Sequence, residues 1–447
     1  MRTERAIDVA TCASIDAPEG LKSKNWLGMN SPPVNSLLYR RLERLSQEPL
    51  SLKWNENSYG APKISFSNTC HTRRFDENVK VGLDELVIDQ YYLIQLRFMT
   101  ANDLDLPDVK LFNSSIGDPM IPPKLKSGDE VRVIAPARSL SIIPKEQRAL
   151  ARERLESMGL KVSFGQHVEE CDDFKSASIE SRLADLHDAF ADRNIKAVLT
   201  VIGGFSSNQL LKYIDYDLIR ANPKILCGYS DITALQNAIY AKTGLVSYSG
   251  PHFSTFAMQK RFEFTREHFE RCLFSSDPIE LKPSEFWSDD AWYMDQENRN
   301  FLANPGYQAL SEGRAEGTLI GGNLCTLNLL QGTPFMPSLK NSILFLEDDE
   351  ALGHFTDVEV DRNLQSLIHL PDFDGVRGIV FGRFQKKSEM TESKLRQIVA
   401  SKRELKSIPV ISGVDFGHTD PYITFPIGGR VEIEACASDC RIRLIEH

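Results

Sequence analysis

The 447-residue chain is long enough for two or three domains with sizeable cores, which excludes a marginal mini-protein. Its 41% hydrophobic, 26% charged and 9% aromatic residues are those of an ordinary folded protein, and 27 Gly with 22 Pro are too few for a low-complexity chain. With 52 Lys and Arg against 62 Asp and Glu, the net charge of −10 offers no basic field to a nucleic-acid polymer.

At the N-terminus, Met1-Arg2-Thr3-Glu4-Arg5 leads into Ala, Asp, Cys and Ser residues rather than an unbroken apolar stretch. Every apolar run is broken by charge well short of the ~20 residues that a bilayer demands. These features predict a cytoplasmic protein without membrane contact. The eight cysteines (Cys12, Cys70, Cys171, Cys227, Cys272, Cys325, Cys436 and Cys440) form no CxxC pair, so free thiols are expected rather than a zinc site or a disulfide framework.

Residues 1–118 read as an irregular N-terminal extension, with loop-like stretches at Asn30-Ser31-Pro32-Pro33 and Asn55–Gly60. Within it, Ser36–Leu45 can form a basic helix and Leu86–Phe98 a strand or buried helix. From Pro119 the pattern alternates. Val131–Pro136 predicts a buried strand, Pro144–Met158 a helix closed by Gly159, and Lys161–Gly165 a second strand. Ile179, Leu183, Leu186 and Phe190 recur at spacings of four, three and four, the stripe of a helix packed on a sheet. Ala197–Ile202 and Lys224–Ser230 are near-continuous apolar strands, the first followed by Gly203-Gly204 and a helix near Ser206–Leu211, the second by a helix over Ile232–Lys242. Strands buried on both faces and alternating with helices imply a parallel sheet.

Residues 275–312, with Trp287 and Trp292, carry no sustained periodicity and read as a linker or lid. Regular structure resumes with the strand Ser342–Glu347, a helix burying Val360, Leu364, Leu367 and Ile368, strands at Val376–Gly382 and Ile408–Gly413, and the alternating strand Arg430–Ala435. The expected class is α/β, with two domains and a cleft between them: a mostly parallel, Rossmann-like domain over 119–274 and a smaller β/α domain over 313–447.

Four places could carry chemistry. Ser230, in Gly228-Tyr229-Ser230-Asp231, sits where a strand meets a helix; it is either a nucleophile on a tight elbow or merely a helix cap. Gly203-Gly204 either lets backbone N–H groups approach an oxyanion or simply makes a turn. Glu347 opens the acidic run Glu347-Asp348-Asp349-Glu350, which could be a solvated loop, a hard-cation site or the seat of a carboxylate that orients an imidazole. His418 follows a strand within a Gly- and Pro-bounded turn, and His252 in Gly250-Pro251-His252 is its rival. All lie just past strand ends, where open sheets place ligands.

Taken in order, Ser127–Val131, Ile202–Asn208, Gly228–Thr233, Ile320–Leu324, Leu346-Glu347-Asp348 and Gly417-His418 resemble the LD-carboxypeptidase family of serine peptidases, from about Pro119 to the C-terminus. The loop Phe286–Trp292, with its two tryptophans, is most similar to that of the microcin C self-immunity branch. The resemblance implies Ser230 as nucleophile, His418 as base and Glu347 as its orienting carboxylate. It also implies an oxyanion hole from the Asp231 and Gly204 amides, substrate contacts from Gly203, Phe205, Asn323, Trp287 and Trp292, no metal, no cofactor, and a homodimer.

Two substrate classes are then open: a peptidyl-nucleotide joined through a C-terminal aspartyl residue, or a murein tetrapeptide ending in a D-amino acid. Indole faces that stack on a base favour the first. Tryptophans that only seal a lid would carry no such preference. A cleft that sequesters nucleotidyl peptides without cleaving them is the non-enzymatic alternative.

Overall fold

A computed structural model of the chain describes residues 119–447, so the segments expected at Ser36–Leu45 and Leu86–Phe98 lie outside the described residues. The chain enters the first sheet with β1 (Glu130–Ile134), whose Val131 and Val133 are buried. Helix α1 (Lys145–Ser157) starts directly after Pro144, whose fixed φ suits a helix start. Gly159 behind it takes φ +84°, open to a residue without Cβ. After β2 (Lys161–Phe164), α2 (Ile179–Ala191) is capped by the Ser178 hydroxyl, which accepts from the Ser181 N–H. Leu186 and Phe190 of its stripe are fully buried.

Next come β3 (Ile195–Thr200), α3 (Tyr216–Ala221), β4 (Ile225–Gly228), α4 (Thr233–Thr243), β5 (Ser247–Ser249) and α5 (Glu263–Phe274). The helix expected near Ser206–Leu211 is only a 3₁₀ turn over Ser207–Leu210. β1 to β5 are parallel, in the order β2-β1-β3-β4-β5.

The second half runs through β6 (Ile279–Leu281), the β7 (Phe286–Trp287) and β8 (Leu302–Ala303) hairpin, β9 (Gln308–Ser311), β10 (Gly313–Asn323), α6 (Leu324–Asn328), β11 (Ser342–Glu347), α7 (Thr356–Ile368), β12 (Gly378–Gly382), α8 (Glu392–Ser401), β13 (Val410–Val414), β14 (Phe425–Ile427), β15 (Arg430–Ala435) and β16 (Cys440–Glu446). Its eight-stranded sheet has the order β6-β16-β15-β10-β11-β12-β13-β9, with β10 to β13 parallel. The reading of 275–312 as a linker or lid without regular structure needs correction, because β6 and β9 form the two edges of this sheet. Strands of three and four residues are too short to register as periodicity.

Two features join the sheets and fix the site. β14 leaves the second sheet to pair antiparallel with β5 at the edge of the first, so the chain between β13 and β14 is held at both ends by different sheets. Helix α4 lies against β10: Asn237 Nδ2 donates to Gly321 O at 2.8 Å, and Thr233 Oγ1 accepts from the Asn323 N–H at 2.9 Å. Gly322 permits this approach, since a Cβ there would sit 2.4 Å from Thr233 Oγ1.

Candidate active site

Ser230 follows β4 and adopts φ +60°, a conformation that costs a non-glycine residue about 1–3 kcal/mol. The side chain of Ser230 caps no helix: Tyr229 and Ile232 occupy the cap positions of the turn and of α4, and neither supplies a side-chain capping bond. The hydroxyl instead faces the connection between β13 and β14. There His418 Nε2 lies 3.0 Å from Ser230 Oγ, and His418 Nδ1 lies 2.7 Å from Glu347 Oε2. Glu347 is the last residue of β11 and is 3% exposed; His418 sits on the β13–β14 connection. With Glu347 ionised, Nδ1–H donates to the carboxylate and Nε2 is free to accept the serine proton.

Burial by itself would lower the basicity of His418. The charge and hydrogen bond of Glu347, with Asp349 and Asp348 behind it, outweigh that and hold the imidazole above its ordinary range. The remaining carboxylates of the acidic run diverge. Asp348 is buried against Asn323, and burial followed by repulsion from Glu347 and Asp349 raises it to about 7. Asp349 accepts from the Ala351 N–H, and Glu350 faces Lys387 at 3.6 Å.

His252 is also at the site, in a different role. Its Nδ1 lies 2.7 Å from Thr200 Oγ1, its ring packs on Tyr229 at 4.4 Å, and burial, with nearby His418 and Arg138, pulls it down to about 3. That imidazole stays uncharged. Tyr229 also packs on His418 at 5.5 Å and on Tyr422 at 5.0 Å, an aromatic support that no sequence pattern announced.

The Gly203–Ser207 turn beyond β3 closes the other side. A Cβ at Gly203 would lie 3.0 Å from Ser230 Cβ and 3.1 Å from its Oγ, so close approach, not only turn geometry, calls for glycine there. Asp231 ties the turn to the elbow: its Oδ2 accepts from the Ser206 and Ser207 N–H groups at 3.0 and 2.9 Å, and its backbone carbonyl accepts from the Ser207 hydroxyl at 2.6 Å.

These groups face a cleft of about 880 Å³ whose lining includes Gly203, Gly204, Phe205, Ser230, His418 and Trp292. Phe205 is 78% exposed there. Two residues expected at the substrate, Trp287 and Asn323, are not among those lining this cleft, and other interactions hold them. Trp287 lies outside the cleft lining, in β7, with Arg383 and Lys386 over its ring at 5.1 and 5.5 Å. Asn323 is 2% exposed; its Oδ1 accepts from the Thr326 N–H to cap α6, and its Nδ2 donates to Asp348. Arg138, just past β1, enters the cleft without having been singled out; its place at a strand end was the available signal.

A strained serine, an imidazole and a buried carboxylate at the C-terminal ends of strands from two α/β sheets form the arrangement of a serine hydrolase. Residues 131–250 match the LD-carboxypeptidase N-terminal domain and residues 316–433 the C-terminal domain. YocD of Bacillus subtilis (strain 168) is 54% identical over 325 residues, covering 72% of this chain and 99% of its own. The crystal structure of an MccF-like protein from Bacillus anthracis str. Ames superposes with a TM-score of 0.73 at 56% identity, covering 73% of this chain and 100% of its own. The microcin C7 self-immunity protein MccF of Escherichia coli is 32% identical over 332 residues, covering 71% of this chain and 93% of its own. MccF in complex with aspartyl sulfamoyl adenosine superposes with a TM-score of 0.66 at 30% identity over 74% of this chain and 99% of that one. The murein tetrapeptide carboxypeptidase of Pseudomonas aeruginosa is 28% identical over 308 residues, 68% of this chain and 92% of its own. The chain belongs to the LD-carboxypeptidase family, and is a serine-type carboxypeptidase by that membership.

Proposed function

We propose that Ser230, His418 and Glu347 form the catalytic triad of an amide hydrolase acting near the C-terminus of a peptide conjugate. The observation that carries this reading is the unbroken hydrogen-bond chain from the strained serine through His418 to Glu347. His418 Nε2 takes the Ser230 proton as Oγ attacks the scissile carbonyl carbon, and the carbonyl oxygen, now negative, is held by the Gly204 and Asp231 N–H groups. When the C–N bond breaks, His418 returns the proton to the departing nitrogen and an acyl ester remains on Ser230. Water then gives its proton to His418 and attacks the ester, releasing the acid and restoring the serine. Glu347 holds the imidazole in the required tautomer and stabilises its charge.

The substrate we infer is a peptidyl-nucleotide. Trp292 lines the cleft, where an indole can stack on a base, and the related MccF has been crystallised with aspartyl sulfamoyl adenosine. The likeness to a murein tetrapeptide carboxypeptidase supports the second reading, cleavage of a terminal D-amino acid. Incubating the purified protein separately with a peptidyl-aspartyl nucleotide and a murein tetrapeptide, with products identified by mass spectrometry, decides between them. Binding of either without products would leave the sequestering alternative.

A further inference from the structure

We propose that Arg138 is the receptor for the negative charge that a substrate carries beside its scissile amide, whether the terminal α-carboxylate of a peptide or the anionic linkage of a nucleotide conjugate. This deepens the hydrolase reading above and rests on it. Among the described residues the cleft lining contains three side chains of Lys or Arg: Arg138, Lys386 and Lys387. Lys386 is paired with Asp289 at 2.6 Å and Lys387 with Glu350 at 3.6 Å. Among the described residues Arg138 has no carboxylate partner, although Asp289, Asp290, Asp349, Glu350 and Asp420 all line the same cleft. Its Nε is buried and, among the described residues, has no hydrogen-bond partner. A buried donor left unmatched is costly, and such groups in native proteins call for an explanation.

The placement supplies one. Gly203 and Gly204 are successive residues of one turn: Gly203 faces Ser230, whose Oγ is 3.1 Å from the Cβ position, and Gly204 faces Arg138, whose Cγ is 3.0 Å from the Cβ position. The nucleophile and the stem of Arg138 therefore pack against successive residues of the same backbone turn. The Arg138 stem is pinned there, and its guanidinium carbon lies 5.8 Å from the Phe205 ring centre. A planar, permanently charged fork matches the two oxygens of a carboxylate, and a carboxypeptidase needs to recognise a chain end.

The test compares wild type, Arg138→Ala and Arg138→Lys on a murein-type peptide ending in D-alanine, the same peptide ending in D-alaninamide, and aspartyl sulfamoyl adenosine. For the anionic substrate that the wild type uses, Arg138→Ala should lower kcat/KM by about 10- to 100-fold, mainly through KM, with under about threefold loss on the neutral amide and partial recovery in Arg138→Lys. Loss on the acid peptide assigns the receptor to a carboxylate; loss on the adenosine conjugate assigns it to the linkage. Equal losses on acid and amide, or no selective loss on either anion, overturn the proposal. If the wild type cleaves none of the three, the hydrolase reading fails separately. Calorimetric binding in a Ser230→Ala background still decides the receptor, since a preference for either anionic ligand over the amide must vanish with Arg138→Ala, and absence of any such preference refutes it.

Discussion

Gly417 rests directly on Glu347: with φ +108°, a side chain at Gly417 would put its Cβ 2.8 Å from Glu347 Oε2, the oxygen that meets His418 Nδ1. The bare backbone lets the β13–β14 connection descend onto the carboxylate and deliver the next residue, His418, to the serine. Gly417→Ala should therefore move the imidazole without removing any of the reacting groups. A displacement near 1 Å costs about 100-fold in rate, so kcat should fall by that order, while the side chain forced to a positive φ lowers stability by about 1–3 kcal/mol without unfolding the protein. Steady-state kinetics beside calorimetry check it.

The pH dependence follows from the same contact. His418 must be neutral to accept the serine proton, and its pKa is held above the ordinary value of about 6.5. The acidic limb of kcat/KM should accordingly lie above that value and move down in Glu347→Gln, which should also lower kcat by about 10⁴-fold. Stability runs the opposite way. The folded state favours the protonated imidazole, so the contribution of the ion pair is fully present below the unfolded pKa and is lost as pH rises through the raised one. Unchanged limbs in Glu347→Gln would show that the carboxylate does not tune His418.

Ser230→Ala should abolish turnover and keep the fold, because only a hydroxyl is removed from the elbow. Residual kcat should be below about a thousandth of wild type. The substitution also leaves a non-glycine residue at φ +60°, so the strain remains and no large gain in stability is expected. Product assays with circular dichroism on the variant read both outcomes.

The two tryptophans should behave differently. Trp292 borders the cleft, so Trp292→Ala should cost about 1–3 kcal/mol in kcat/KM for a peptidyl-nucleotide and little for a murein tetrapeptide. Trp287 is held under Arg383 and Lys386 away from the lining, and Trp287→Ala should affect both substrates alike. Parallel assays of the two variants on both substrates provide the comparison; equal losses at Trp292 would remove the argument for a nucleotide.

A chain lacking residues 1–115 should stay folded and active. It keeps Met120, whose N–H donates to Gly244 O at 2.8 Å and whose carbonyl accepts from the Val246 N–H at 2.9 Å, and Leu125, whose N–H donates to Leu273 O at 2.8 Å. Moreover, YocD matches over 99% of its length while covering 72% of this chain. The melting temperature should change by no more than about 3 °C. Insolubility of the truncated chain would show that the N-terminal region supplies part of the core.

The sequence by itself determined the succession of strands and helices after Pro119, because strands buried on both faces and helices with one apolar face leave different local signatures. It also marked Ser230, Glu347 and His418 as strand-end residues, a position that local pattern and topology rules reach together. The edge strands β6 and β9 escaped it, being too short to show a period and set by pairing with distant chain. The tertiary structure decided which histidine faces the serine. His418 reaches Ser230 across 188 residues because β14 pulls the connection behind it to the first sheet, whereas His252 is packed beneath Tyr229 and bonded to Thr200. It likewise assigned Asn323 to a helix cap, Trp287 to a cationic clamp and Arg138 to the cleft. Such roles depend on distances between side chains on separate elements, and those distances exist only once the two sheets are packed together.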